Sequence, residues 1–310
     1  MISEVRFVTV GVPDLERTQR FYEKVFDYVT HATGTVSGPA YEALWQMPAG
    51  MTAKVAVMGP AGATSGLLRL VAFDRPGEPY WGDYSNKQDY GHYALNIRVP
   101  DVRAAIARIR ENGGRGKSEP TRWQVTPDLA AWDSLSFDPD GVILDVFQLE
   151  PAKGSLMDDY DGRCSALQTI AIHTSDARRS ARFYAALGYR PWYDRVLEGM
   201  EGFFKLPEGT GLHNINMIMP DNPSIGRIEI AQYVGFPGKS QRDRAVPPNY
   251  GALSASMETD DLAETEKLLH AIGTEPVGDR VEVDLPGIGP AYARSYFGPD
   301  DEVLEFYQRR

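Results

Sequence analysis

The stretch Val8-Thr-Val-Gly-Val-Pro-Asp14, followed by Arg20-Phe21-Tyr22, returns as Ile170-Ala-Ile-His-Thr-Ser-Asp176, followed by Arg182-Phe183-Tyr184. In both copies the Asp precedes the Phe by seven residues, 14 to 21 and 176 to 183. The ends match as well: Ser136-Phe-Asp-Pro-Asp-Gly141 with Leu144-Asp145-Val-Phe-Gln148, against Tyr296-Phe-Gly-Pro-Asp-Asp301 with Leu304-Glu305-Phe-Tyr-Gln308. A period near half of 310 residues is far too long for a solenoid and means two copies of one domain. The expected boundaries are 1–150 for the first copy, 151–165 for a linker and 166–310 for the second.

Composition narrows the function classes. The chain is 42% hydrophobic and 24% charged, ordinary for a water-exposed protein with two cores. Its net charge of −11 argues against a nucleic-acid partner, because phosphate binding needs a clustered basic surface. No apolar run reaches the length of a bilayer span, and Met1-Ile-Ser-Glu-Val-Arg6 reads as a strand start rather than a signal peptide. The lone Cys164 has no partner for an internal disulfide, which favours a reducing, cytoplasmic setting. With no base beside it in a linker-like stretch, it is not a candidate nucleophile.

Each half divides again. Strand Val5–Val12 leads through Pro13-Asp14, a plausible N-cap, into a helix over Leu15–Phe26. Loop material from Gly34 to Tyr41 and short strands near Ala43–Gln46, Ala53–Met58 and Gly66–Phe73 follow. A second unit runs from strand His92–Val99 through helix Val102–Asn112, stopped at Gly113-Gly114, to three more strands. The second half repeats this, with a strand near Gly202–Leu206. The predicted fold class is therefore α+β: four βαβββ modules paired into two tandem domains with open, cup-shaped sheets.

Alternation sorts the strand residues between the helix side and the cup. Val8, Val10 and Val12 should pack under the helix, leaving Phe7 and Thr9 in the cup. Thr169, Ala171 and His173 face in by the same count, as do His92, Ala94, Asn96 and Arg98. Ser254, Ser256 and Glu258, then Arg69, Glu229 and Tyr233, and finally Asp145, Glu305 and Tyr307 complete the inward set. A one-residue slip would reverse every assignment.

This pattern resembles the vicinal oxygen chelate superfamily, which includes glyoxalases, extradiol dioxygenases and bleomycin-resistance proteins. The resemblance rests on Pro13-Asp14-Leu15 with Phe21-Tyr22, Pro100-Asp101-Val102, Asp138-Pro-Asp-Gly141 with Asp145, Asp176 with Phe183-Tyr184, Asp261-Leu262, and Pro299-Asp300 with Glu305. It implies a divalent metal held in the cup by residues at the starts of the opening strands and by carboxylates on the closing strands. Carried over, those positions are Phe7, Arg69, Ala94 and Asp145 in the first half, and Thr169, Glu229, Ser254 and Glu305 in the second. No histidine stands at any opening position, so the first cup is expected to be metal-free, with Arg69 and Asp145 paired across it.

The second cup keeps two carboxylates, Glu229 and Glu305, with His173 nearby. Three readings stay open: an acid–base pair, a divalent metal on Glu229, Glu305 and His173, or a satisfied structural cluster. No cofactor is expected otherwise. The leading expectation is an isomerase, epimerase or lyase with Glu229 and Glu305 as base and acid and His173 as orienting donor. Arg69, His92, Asn96, Asp145, Thr169, Tyr233, Ser254 and Tyr307 are the expected substrate contacts. The alternatives are a non-catalytic small-molecule binding or resistance protein and a metal-dependent dioxygenase or glyoxalase. Tyr80, Trp81, Tyr84, Trp123 and Trp132 are candidates to roof the first cup over a planar ligand. The expected partner is a small molecule, with no nucleic acid or membrane; members of the resembling family often pair, and the sequence leaves a homodimer open.

Overall fold

A computed structural model describes residues 1–81, 88–152 and 161–310. Tyr84 and most of the expected 151–165 linker lie outside the described residues. The first module comprises β1 (Ile2–Gly11), α1 (Leu15–Phe26), β2 (Val29–Ser37), α2 (Pro39–Trp45), β3 (Thr52–Gly59) and β4 (Leu67–Phe73). The second comprises β5 (Gly91–Arg98), α3 (Val102–Glu111), β6 (Arg115–Gly116), β7 (Thr121–Thr126), β8 (Leu129–Phe137) and β9 (Ile143–Glu150). The third has β10 (Leu167–His173), α4 (Ala177–Ala186), β11 (Arg190–Leu197), α5 (Glu201–Phe204), β12 (Gly211–Ile218) and β13 (Arg227–Val234). The fourth has β14 (Gly251–Thr259), α6 (Leu262–Ala271), β15 (Val281–Leu285), β16 (Gly289–Phe297) and β17 (Val303–Arg309).

The four long helices start as the sequence signals. Asp14, Asp101, Asp176 and Asp261 are all extended N-caps whose carboxylates accept backbone N–H groups of the first turn. Two expectations fail locally. Residues 43–46 and 202–206, read as strands, lie in or at the short helices α2 and α5, the first opened by Pro39 inside its first turn. The strands β2 and β11 were missed because they are largely solvent-facing and carry no buried alternation.

The fold class is the α+β arrangement of four βαβββ modules in two cup-shaped sheets. The partnership differs from the order along the chain. One sheet runs β15-β16-β17-β14-β1-β4-β3-β2 and joins the first module to the fourth; the other runs β11-β12-β13-β10-β5-β9-β8-β6, with β7 beside β8, and joins the second to the third. The seams are antiparallel: β1 on β14, with Thr9 opposite Ser254, and β5 on β10, with Asn96 opposite Thr169. So each cup takes one module from each half, and the expectation that the halves close their own cups is corrected.

The motifs that reveal the repeat explain this. Tyr22 Oη donates to Asp138 Oδ2 at 3.2 Å, and Arg17 and Thr18 reach Asp140, so the Asp-Pro-Asp loop of the second module grips α1 of the first. Tyr184 Oη donates to Glu302 at 2.9 Å, while Thr174 and Arg179 hold Asp300, doing the same between the fourth module and α4. Consecutive modules are thus tied through their helix sides, and the cup sides are left to pair across the halves. One apolar core containing Val8, Tyr22, Leu95, Ile170, Tyr184 and Met257 fills the helix side of all four modules.

Two glycines mark where the sheets meet. Gly66 and Gly226 precede β4 and β13 with φ of +64° and +71°. A Cβ on Gly66 would meet Leu167 O at 2.4 Å, and one on Gly226 would meet Val5 O at 2.6 Å. Only glycine gives this conformation at that approach. No helix among the described residues is long and apolar enough to cross a membrane.

Candidate functional site

The cup shared by the first and fourth modules is filled. Arg69 (β4) and Glu305 (β17) have no exposed side-chain surface, and Arg69 Nη1 donates to Glu305 Oε1 at 2.9 Å and Oε2 at 3.1 Å. Trp45 Nε1, at the end of α2, donates to Glu305 Oε2 at 2.6 Å. The guanidinium carbon lies 5.0 Å from the Phe7 ring centre and 5.4 Å from that of Trp45. Beside them Thr9 and Ser254 line a crevice of only about 20 Å³. The ion pair expected across this cup exists, but its acid is Glu305; Asp145 belongs to the other sheet.

The cup shared by the second and third modules is open, with a cavity of about 280 Å³. Strand periodicity builds it: Ala131 and Asp133 from β8, Asp145 and Phe147 from β9, Asn214 and Asn216 from β12, and Arg227 and Glu229 from β13 all line it at every second residue. A register shift between Leu167 and Thr169 brings both Gln168 and Thr169 to the wall. Trp123 of β7 and Phe203 of α5 meet edge to face over it, ring centres 5.3 Å apart, and Trp192 flanks it under Arg227.

Four carboxyl residues line the cavity, Asp133, Asp145, Glu198 and Glu229. Asn96 Nδ2 donates to Glu229 Oε2 at 2.5 Å, and Asn214 Nδ2 donates to Oε1. Burial raises the Glu229 carboxyl above its ordinary value, opposed by the Asn214 and Asn96 bonds and by Arg227. Burial pushes Asp133 up to about 8, helped by the charge of Glu229. Asp145 is raised well above its ordinary value by burial, then by Asp133 and Glu229, with Lys117 opposing. Arg227 is pulled down to about 10 by burial and by Arg98, with Glu229 opposing; its Nε donates to Pro223 O at 2.6 Å. Asp133 therefore holds its proton at neutral pH, and Asp145 is harder to ionise than an ordinary aspartate, beside the amide-held Glu229.

The expected site residues divide three ways. Glu229, Asn96, Asp145 and Thr169 meet in the open cup. Glu305, Arg69, Ser254 and Tyr307 belong to the filled one, so Glu229 and Glu305 do not share a hollow and cannot act as a pair. His173, Tyr233 and His92 are on the lining of neither cavity. His173 is buried against Tyr93, ring centres 3.9 Å apart, and against Tyr233 at 4.3 Å, so it orients nothing in the open cup. His92 Nε2 bonds Val303 O at 3.0 Å, and burial takes its pKa down to about 4, leaving a neutral structural imidazole. Of the proposed roof, Trp123 covers the open cup. Tyr80 and Trp81 pack in the interior, and Trp132 bonds Glu150 outside the cavity. The reading missed Asp133, Asn214, Asn216, Gln168 and Trp192; the first three follow from applying period two to β8 and β12 as it was applied to the other strands.

The metal that the resemblance implies does not fit these residues. In the filled cup a guanidinium already occupies the carboxylate. In the open cup both Glu229 oxygens accept from amides, and Glu229, Glu305 and His173 are in three separate places. Among the described residues no three His, Cys, Asp or Glu side chains are placed to hold a metal ion.

The chain is similar to glyoxalase I from Zea mays at 16% identity and a TM-score of 0.63, over 99% of this chain and 92% of that chain. A mutant of the same enzyme gives 17%, 0.66, 99% and 94%. A mutant of 4-hydroxymandelate synthase from Streptomyces coelicolor matches at 15% identity and a TM-score of only 0.35, over 100% of this chain and 93% of that one. At such identities the maize likeness speaks to the fold of the whole chain. No curated protein matches by sequence. The model of the Glyoxalase/Bleomycin resistance protein/Dioxygenase superfamily matches residues 5–146 of this chain.

Proposed function

We propose that the open cup is an acid–base site that moves a proton on a small organic substrate, as an isomerase, epimerase or lyase does. Glu229 is the base and a protonated Asp145 or Asp133 the acid. The base takes hydrogen from the carbon beside a carbonyl while the acid gives its proton to the carbonyl oxygen. The C–H bond breaks, an O–H bond forms, and the resulting enol accepts a proton back on another face or carbon, or expels a leaving group. What carries this reading is the meeting of Asp133, Asp145 and Glu229 in one aromatic-walled cavity where burial raises all three carboxyls and only Glu229 has two amide donors favouring its ionised form.

The test is deuterium exchange from D2O into a panel of small ketones, aldehydes and phenols, followed by NMR. Glu229→Gln should slow any exchange the protein catalyses by at least about 100-fold, the ordinary scale for a general base. Exchange unchanged by Glu229→Gln sinks the assignment. A second reading, a binding protein without turnover, is favoured by the apolar cover of Trp123, Trp192 and Phe203; it predicts saturable ligand binding with no exchange in any panel member that binds.

A further inference from the structure

On the reading of the open cup as a proton-transfer site, the unmatched hydrogen-bonding groups of its wall narrow the ligand. Asn96 is 5% exposed; its Nδ2 donates to Glu229 and its Oδ1 has no donor among the described residues. Gln168, 3% exposed, has an unmatched Oε1, and Asn216 Oδ1 and Asp145 Oδ1 are likewise without donors among the described residues. All four residues line the cavity. Each buried acceptor without a donor costs roughly 1–3 kcal/mol, so a ligand rich in N–H groups is favoured over one rich in oxygen acceptors.

Charge points the same way. Four carboxyl residues, Asp133, Asp145, Glu198 and Glu229, line the cavity against the single guanidinium of Arg227, and a bound ammonium favours the ionised form of any whose burial opposes ionisation. Arg227 has Glu229 as its opposing charge and lies over Trp192, 5.2 Å from its ring. Lys117, outside the lining, opposes the rise of the Asp145 pKa and donates to Tyr93 Oη. Tyr193 is the remaining titratable group on the wall. The aromatic surfaces suit a flat apolar body and attract a cation over their faces.

We infer that the ligand of the open cup is an organic cation, a protonated amine on a flat apolar body, with its ammonium group at Asp145, Asn96 Oδ1 and Gln168 Oε1 and its body against Trp123 and Trp192. Such a ligand supplies donors to the unmatched acceptors and a charge partner to a carboxyl that burial makes hard to ionise.

The test is isothermal titration calorimetry of the full chain at neutral pH with three probes of one shape: tryptamine (cationic), tryptophol (neutral) and indole-3-acetate (anionic). Tryptamine should bind at least about tenfold tighter than tryptophol, with indole-3-acetate the weakest. In Asp145→Asn, whose melting curve shows whether it folds, the tryptamine advantage should shrink about tenfold while tryptophol binding stays as it was. The inference is overturned if tryptophol or indole-3-acetate binds as tightly as tryptamine, or if tryptamine gives no binding heat up to about 5 mM, a concentration that reveals even a millimolar affinity. Because binding is read without turnover, amine selectivity together with exchange insensitive to Glu229→Gln would keep this ligand class and remove only the acid–base role.

Discussion

Arg69 and Glu305 stand 236 positions apart in the chain, yet Arg69 Nη1 reaches both Glu305 oxygens and neither side chain has exposed surface. The contact joins the first module to the last and fills the cup they share. A buried pair loses about 3–5 kcal/mol when one partner is removed, because the other is left as an uncompensated charge. Arg69→Met should therefore lower urea stability by that amount. The double variant Arg69→Met with Glu305→Leu should recover most of the loss, since an apolar pair of similar volume has no charge to desolvate. A double variant no more stable than Arg69→Met alone would show that the charges are not the source of the effect.

The two cups separate the roles of the two glutamates. Glu305→Gln should depress the melting temperature while any catalysed proton exchange per folded molecule stays within about twofold of wild type. Glu229→Gln should do the reverse, abolishing exchange with a smaller shift in melting. Parallel melting and exchange measurements decide it.

Asp133 and His92 give stability opposite pH slopes. The folded Asp133 titrates near 8, far above an unfolded aspartate near 3.9, so the folded state holds the extra proton and stability falls as pH rises through that window. The folded His92 titrates near 4, below an unfolded histidine near 6.5, so its contribution is lost as pH falls from 6.5 towards 4. Of these two, only Asp133 acts above pH 6.5. Asp133→Asn should flatten the decline from pH 6.5 to 8 by up to about 1.4 kcal/mol per pH unit. Denaturant titrations of both proteins across that range should show the difference.

The amides of Asn96 and Asn214 favour the ionised Glu229 carboxylate and oppose the upward push of its burial. Asn96→Ala and Asn214→Ala should each raise the Glu229 pKa, seen by carbon-detected NMR of the glutamate side chains, and each should cost roughly 1–3 kcal/mol for the oxygen left without its donor. A Glu229 titration unmoved in both variants would mean that the amides do not control it.

Cys164 is buried, and its thiol is pushed up to about 11 chiefly by burial, with Arg108 opposing. It should react with a disulfide reagent orders of magnitude more slowly in the native protein than in guanidinium, where it is exposed and titrates near its ordinary value.

The sequence by itself determined the module and its faces. The spacing of Asp14 and Phe21, the caps at Asp101 and Asp261 and the alternation along β1, β5, β10 and β13 are local properties, fixed by residues a few positions apart, and local periodicity is written directly into sequence. It therefore assigned Arg69, Asn96, Asp145, Glu229 and Glu305 to cup faces. Which cup each of them enters was decided only by the tertiary structure. Every module presents the same antiparallel seam, so nothing within one module selects its partner. The choice depends on Tyr22 gripping Asp138, Tyr184 gripping Glu302 and the close passage of Gly66 beside Leu167 and Gly226 beside Val5, contacts that span 101 to 221 residues and exist only once the helix sides have packed together.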